Sequence, residues 1–195
     1  MKLFFNESGQ LDYDTIGDTD TLADLLQAVD LFIDRHPLSC SRCENSCCRK
    51  PWAVEVDNVS VRRLCADHKI PQSELISSML ETDENKHLDF DQYIMKKQSA
   101  HCPWLSEMNR CRIYQSRPLI CRLYSCFPKS QRFNQLREAS AATFLLALVF
   151  EQLIDQQQPS ERQLEYYQKN PALNALDYKV GLQKILDYAL DEGWL

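Results

Sequence analysis

The placement of its cysteines constrains this chain more than any other feature. Of nine cysteines, four crowd into "SCSRCENSCC" as Cys40, Cys43, Cys47 and Cys48. Four more recur as Cys102, Cys111, Cys121 and Cys126, and Cys65 lies between the groups. Such a set has three uses: disulfides, a metal or iron–sulfur site, or a reactive thiol. The opening "MKLFFNESGQ" has no apolar stretch long enough for an export signal, which predicts a cytoplasmic protein whose thiols stay reduced. A chain of 195 residues with 44% hydrophobic content can bury a core without cross-links. Metal coordination is therefore favoured over a disulfide framework.

The spacing within the first group supports that choice. In Cys40-x-x-Cys43 a tight turn aims two sulfurs at one ion while backbone amides remain free to bond the thiolates. A lone pair of this kind would suit a redox dithiol, but Cys47 and Cys48 follow at once, which favours coordination. Adjacent side chains in extended backbone point to opposite sides. Cys47 and Cys48 therefore face two different centres, or one ligates and the other packs. Cys65, in "VRRLCADH", reads as a small core residue on a helix face. Cys102, Cys111 and Cys121 are too far apart for a zinc-finger knuckle, yet each stands beside turn-forming residues. Together with Cys126 they are candidates to complete a site begun by the first group. Structural zinc and cubane iron–sulfur clusters each take four ligands. Eight thiols fill two such centres. Seven leave a second centre open to His101, substrate or water. Soft thiolates select zinc, iron–sulfur or cuprous copper over magnesium or calcium.

The rest of the chain predicts a mainly α fold with a small β component, an irregular cysteine-rich metal-binding core and a helical C-terminal region. Residues 19–36 carry Leu22, Leu25, Leu26, Val29, Phe32 and Ile33 at helical spacing, with Asp18 to Asp20 as capping candidates and Pro37 as the stop. His36 suits the negative end of that helix dipole. "WAVEV" (52–56) reads as a short strand, Asn58 as the cap of a helix to His68, and Pro71 as the opener of another. "YIMKK" is a strand candidate. Residues 101–126 read as turns with one short helix opened by Pro118. A long helix is predicted over 135–157, followed by helical stretches over 160–169 and 172–191. The expected organisation is an N-terminal helical segment (1–37), a cysteine-cluster domain (38–128) and a helical C-terminal region (129–195) packing on it.

Several function classes are disfavoured. A net charge of −6 makes nucleic acid a poor default partner. The longest apolar run, "AATFLLALVF", is too short to span a bilayer, so no membrane partner is expected. No P-loop, dinucleotide fingerprint or Ser/His/Asp pattern is present. Tyr114 and Tyr124 are read as packing residues around the site.

Three segments in order, "CSRCENSCC", "CPWL" (102–105) and "CRIYQSRPLICRLY" (111–124), resemble a cysteine-cluster family of zinc- or iron-chelating proteins. The family pattern is CxxC followed closely by CC, then C-P-x-L, then C-x-I-Y-x-x-R-P-x-x-C-R. The resemblance covers about residues 38–128. It implies ligand status for Cys40, Cys43, Cys47, Cys48, Cys102, Cys111 and Cys121, with Arg117, Pro118 and Arg122 also matching. The chain departs from the pattern in having three residues between Cys43 and Cys47. It also departs at "RLYSC", which makes Cys126 an extra thiol. Pro118 is expected to start a helix with Cys121 about one turn in, and the two arginines to offset thiolate charge. The group also includes a flagellin lysine N-methylase module. The resemblance thus implies a metal-binding protein holding zinc or an iron–sulfur centre. Its alternatives are a metal-dependent enzyme that modifies a protein side chain, and an interaction module whose helical tail binds a protein partner.

Overall fold

The computed structural model describes residues 1–36, 48, 54–83, 92–96, 101–124, 126–155 and 159–195. The predicted helix stop at Pro37, and Cys40, Cys43 and Cys47, lie outside the described residues. The fold is mainly α with a few short strands.

The chain opens with a hairpin, β1 (Leu3–Phe5) and β2 (Leu11–Tyr13), paired antiparallel with Leu3 opposite Tyr13. Asn6 makes the turn: its Oδ1 accepts from the amides of Ser8 (3.0 Å) and Gln10 (2.9 Å). Gly9 takes the left-handed conformation that a Cβ would oppose (φ 69°). The helix α1 (Leu22–Arg35) follows, burying Leu22, Leu25, Leu26, Val29 and Phe32, while Ile33 is only half-buried. Its cap is Thr21 rather than an aspartate of 18–20. Thr21 and Asp24 form a reciprocal capping box, and Asp20 instead turns back to the Gly17 amide.

Helix α2 (Asn58–His68) is capped by Asp57, not Asn58, which is its first helical residue. Helix α3 (Gln72–Met79) begins directly after Pro71 and runs into β3 (Leu80–Asp83), which pairs antiparallel with β4 (Gln92–Met95). Of the predicted strand at 52–56, residues 54–56 are described and run beside β4: Val56 donates to Tyr93 O at 3.0 Å and Met95 donates to Val54 O at 2.9 Å. Helix α4 (Leu119–Leu123) is the short helix after Pro118. Helix α5 (Gln131–Asp155) is the longest, and residues 143–151 are buried on every side. That explains the apolar run: a helix buried all round belongs to a protein interior as readily as to a bilayer. No helix among the described residues is long and apolar enough to cross a membrane.

Helix α6 (Glu161–Gln168) carries its own capping box from Ser160 and Gln163. The expected helix over 172–191 starts only at Leu182, as α7 (Leu182–Asp191). The segment before it is taken up in tertiary bonds. Asn174 sits in the left-handed region (φ 57°), and its amide donates to Glu151 at 3.0 Å. Farther along, Ala23 donates to Tyr178 O at 2.8 Å and Leu22 to Val180 O at 2.9 Å.

Two hydrophobic clusters result. The first joins the hairpin, α1, α4, α7 and part of α5 through residues such as Leu11, Leu26, Leu119, Leu123, Phe133, Phe144 and Ile185. The second gathers Val56, Val61, Leu64, Leu75, Leu80, Met95 and Ile113 around Leu148 of α5. Cys65 and Cys111 pack against the second cluster, and Cys121 stands between Leu119 and Leu123 of the first.

Candidate metal centre

Of the first cysteine group, Cys48 is described, and it is tied directly to the second group. Its carbonyl accepts from the amide of Cys102 at 2.8 Å. Cys102 then begins a compact loop. Leu105 donates back to Cys102 O at 3.0 Å, and Leu105 forms an antiparallel bridge with Cys111. Between them Ser106 accepts from Asn109 (2.9 Å) and donates to Arg110 O (2.9 Å), and Asn109 takes a left-handed conformation (φ 58°). Asparagine tolerates that region better than most residues. The Arg112 amide donates to Trp104 O (2.9 Å), and its guanidinium donates to Pro103 O (2.8 Å). Backbone bonds thus draw Cys48, Cys102 and Cys111 into one neighbourhood. Trp104 anchors the loop by packing on the second cluster and stacking near His68, with ring centroids 4.7 Å apart.

Cys121 is held differently. It lies on α4, where Leu119 and Leu123 are buried in the first cluster and Cys121 between them is half-buried. The amide of Leu119, left without an intrahelical partner, donates to Asp57 Oδ2 at 3.0 Å. The same carboxylate accepts from the Ser60 amide (2.8 Å), from the Ser60 hydroxyl and from the Tyr178 hydroxyl (3.0 Å). Asp57 therefore caps α2 and α4 at once. Burial and the Asp57 carboxylate hold the Tyr178 hydroxyl well above its ordinary pKa, so it serves as a donor.

Arg117 and Arg122, expected to offset thiolate charge, both reach Asp30 of α1, at 3.7 and 2.9 Å. Arg117 also donates to Tyr114 O (2.8 Å) and lies over the Tyr114 ring at 3.7 Å. Their charge thus docks α4 on α1. A cleft of about 430 Å³ opens beside Arg122, walled by Asp30, Leu31 and Asp34 of α1 and by Tyr178.

The remaining candidates fall as follows. Cys126 is exposed. His101 is exposed at the start of the Cys102 loop. Cys65 packs half-buried against the second cluster, and burial raises its thiol pKa, which suits an inert packing residue. His36 ends α1 within an aromatic group of Phe5, Phe32 and Phe127, the last adjacent to Cys126. Tyr114 and Tyr124 are exposed, each with a cation over its ring, Arg117 and Lys129 respectively. Burial lowers Lys129 to about 8, with Cys126 acting in the opposite direction.

Among the described residues no group of three or more His, Cys, Asp or Glu is disposed to hold a metal ion. The donor chemistry nevertheless fits one. Cys48, Cys102, Cys111 and Cys121 are half-buried, neither committed to the core nor on the open surface. As thiolates they suit zinc or iron rather than hard cations.

Sequence reasoning missed Asp30, Asp57 and Tyr178. The signal for Asp57 was present, since an aspartate three residues before Ser60 is a capping pattern. Asp30 and Tyr178 left none, because their partners are remote in the chain. A comparison with protein families matches residues 39–141 to a model described as a "putative zinc- or iron-chelating domain". No curated protein and no solved structure matches the chain.

Proposed function

The chain belongs to the CxxCxxCC family, and on that premise we propose that it holds zinc or an iron–sulfur centre through Cys40, Cys43, Cys47, Cys48, Cys102, Cys111, Cys121 and Cys126. The observation that carries this reading is the bond from the Cys102 amide to the Cys48 carbonyl. It joins the end of the first motif to the start of the second, so the backbones of Cys48 and Cys102, far apart in sequence, are neighbours. Half-burial of Cys111 and Cys121 adds support, because ligand thiolates need partial shielding from water and an open approach for the ion. The bound group would supply a cross-link between the two thiol-bearing segments. The ligands are thiolates, so the reading carries a reducing, cytoplasmic setting with it. Eight thiols would fill two four-ligand centres, and fewer would fill one.

Metal and inorganic sulfide analysis of protein purified without oxygen tests this. The expected result is stoichiometric zinc, or iron with sulfide and visible charge-transfer absorption. Cys102→Ser or Cys121→Ser should reduce the bound metal. Sub-stoichiometric metal with every thiol freely titrating would overturn the reading.

A further inference from the structure

The Cys121 helix is too short to stabilise itself, since isolated helices of a few residues do not persist in water. Something outside α4 must fix it. The family match ends at residue 141, yet one of the groups that fix α4 lies well beyond that point. Asp57 Oδ2 accepts the first amide of α4, and Asp57 Oδ1 accepts the Tyr178 hydroxyl. Ser60 Oγ stands 2.9 Å from the Tyr178 hydroxyl and accepts from the Leu119 amide at 3.2 Å. All four residues are buried.

We propose that Asp57 and Tyr178 are positioning residues of the metal centre, a buried carboxylate–phenol pair that sets where α4 presents Cys121. The assignment rests on the reading of Cys121 as a ligand. A carboxylate suits this place because it only accepts, and four donors converge on it. An amide at 57 would turn an NH₂ group toward one of them. Tyr178 comes from the segment before α7, so the C-terminal region contributes to the centre without supplying a ligand.

A neighbouring buried group gives the control. Glu151 accepts from Asn58 (2.8 Å), Arg62 (2.7 Å) and the Asn174 amide (3.0 Å). It ties the same two regions together but has no hydrogen bond to α4 among those described. The experiment compares Asp57→Asn, Tyr178→Phe and Glu151→Gln in the full chain. It reads amide exchange across Leu119–Leu123 in metal-free protein, and Co(II) affinity with its thiolate charge-transfer band. Asp57→Asn and Tyr178→Phe should speed exchange in α4. They should also weaken metal binding about 10–100-fold and alter the band, as loss of supporting bonds does at other metal sites. Glu151→Gln should lower the melting temperature while leaving both readouts at wild-type values. If Asp57→Asn does not fold, Tyr178→Phe, which removes one oxygen, decides alone. The proposal is overturned if Tyr178→Phe behaves like Glu151→Gln while Cys121→Ser loses metal. If Cys121→Ser retains full metal binding, the reading of Cys121 as a ligand fails instead, whatever the exchange data show.

Discussion

The two described halves of the thiol region are held by opposite means. Cys102 and Cys111 sit on a loop closed by main-chain bonds, with the Leu105–Cys111 bridge at its neck. Cys121 sits on α4, whose own backbone bonds are few, and side chains fix it: Leu119 and Leu123 in the core, Asp57 at its start and Asp30 against its arginines. The loop is therefore locally encoded and α4 is globally encoded. Damage to the core should reach Cys121 first, whereas damage to a turn should stay within the loop.

The largest expected effect is at the root of α4. Leu119→Ala empties a side chain that is 1% exposed, and should lower stability by about 3 kcal/mol in urea unfolding. Cys121 should then react faster with a thiol reagent while Cys111 is little changed. Equal acceleration at both would dissolve the contrast. Asn109→Ala strains a left-handed residue at the loop tip and should cost about 1 kcal/mol. Its signature is a faster Cys111 with Cys121 unaffected, and Asn109→Gly should restore the wild-type rate. Asp30→Asn removes the shared carboxylate of Arg117 and Arg122. Asp30 is well exposed, so the loss should be about 0.5 kcal/mol, shrinking as salt is added. The smallest effect concerns α1, the support on which α4 docks. The Thr21 hydroxyl and amide hold the Asp24 carboxyl below its ordinary value. Its contribution is thus present above the unfolded carboxylate value, about 4, and is lost as pH falls through the lower folded value. Solvent screening limits it to a few tenths of a kcal/mol. Thr21→Ala should flatten that part of the stability–pH curve, as measured by denaturation between neutral and acid pH.

Where the sequence was legible, the cause was local. The apolar spacing of α1 and the long apolar run of α5 required no knowledge of partners. Pro118 announced α4 by fixing its own φ. The capping error at 57–58 shows where locality ends, since aspartate and asparagine cap equally well. The choice was made remotely: the Asn58 side chain is drawn to Glu151 and to Ala172 O at 3.1 Å, leaving Asp57 as the cap. The same holds for 172–181. Its composition permits helix, but its amides and carbonyls are claimed by α1, α2 and α5. The N-terminal hairpin was missed because its strands are three residues each, too short for periodicity to register, although Asn6 and Gly9 marked the turn. The thiol motifs were plain, and the residues that hold α4 in place were not, because Asp30, Asp57 and Tyr178 meet only in the folded chain.

The place of α5 in both hydrophobic clusters has a bearing on how the molecule comes apart. Phe133, Phe144 and Ala147 belong to the first cluster and Leu148 to the second. One helix is thus common to both, and the opening of either cluster removes packing from the helix on which the other is built. The protein should therefore melt as a single cooperative unit, with calorimetric and van't Hoff enthalpies in agreement. Only the periphery, such as the exposed tip around Met108, should exchange its amides by local opening below that global threshold.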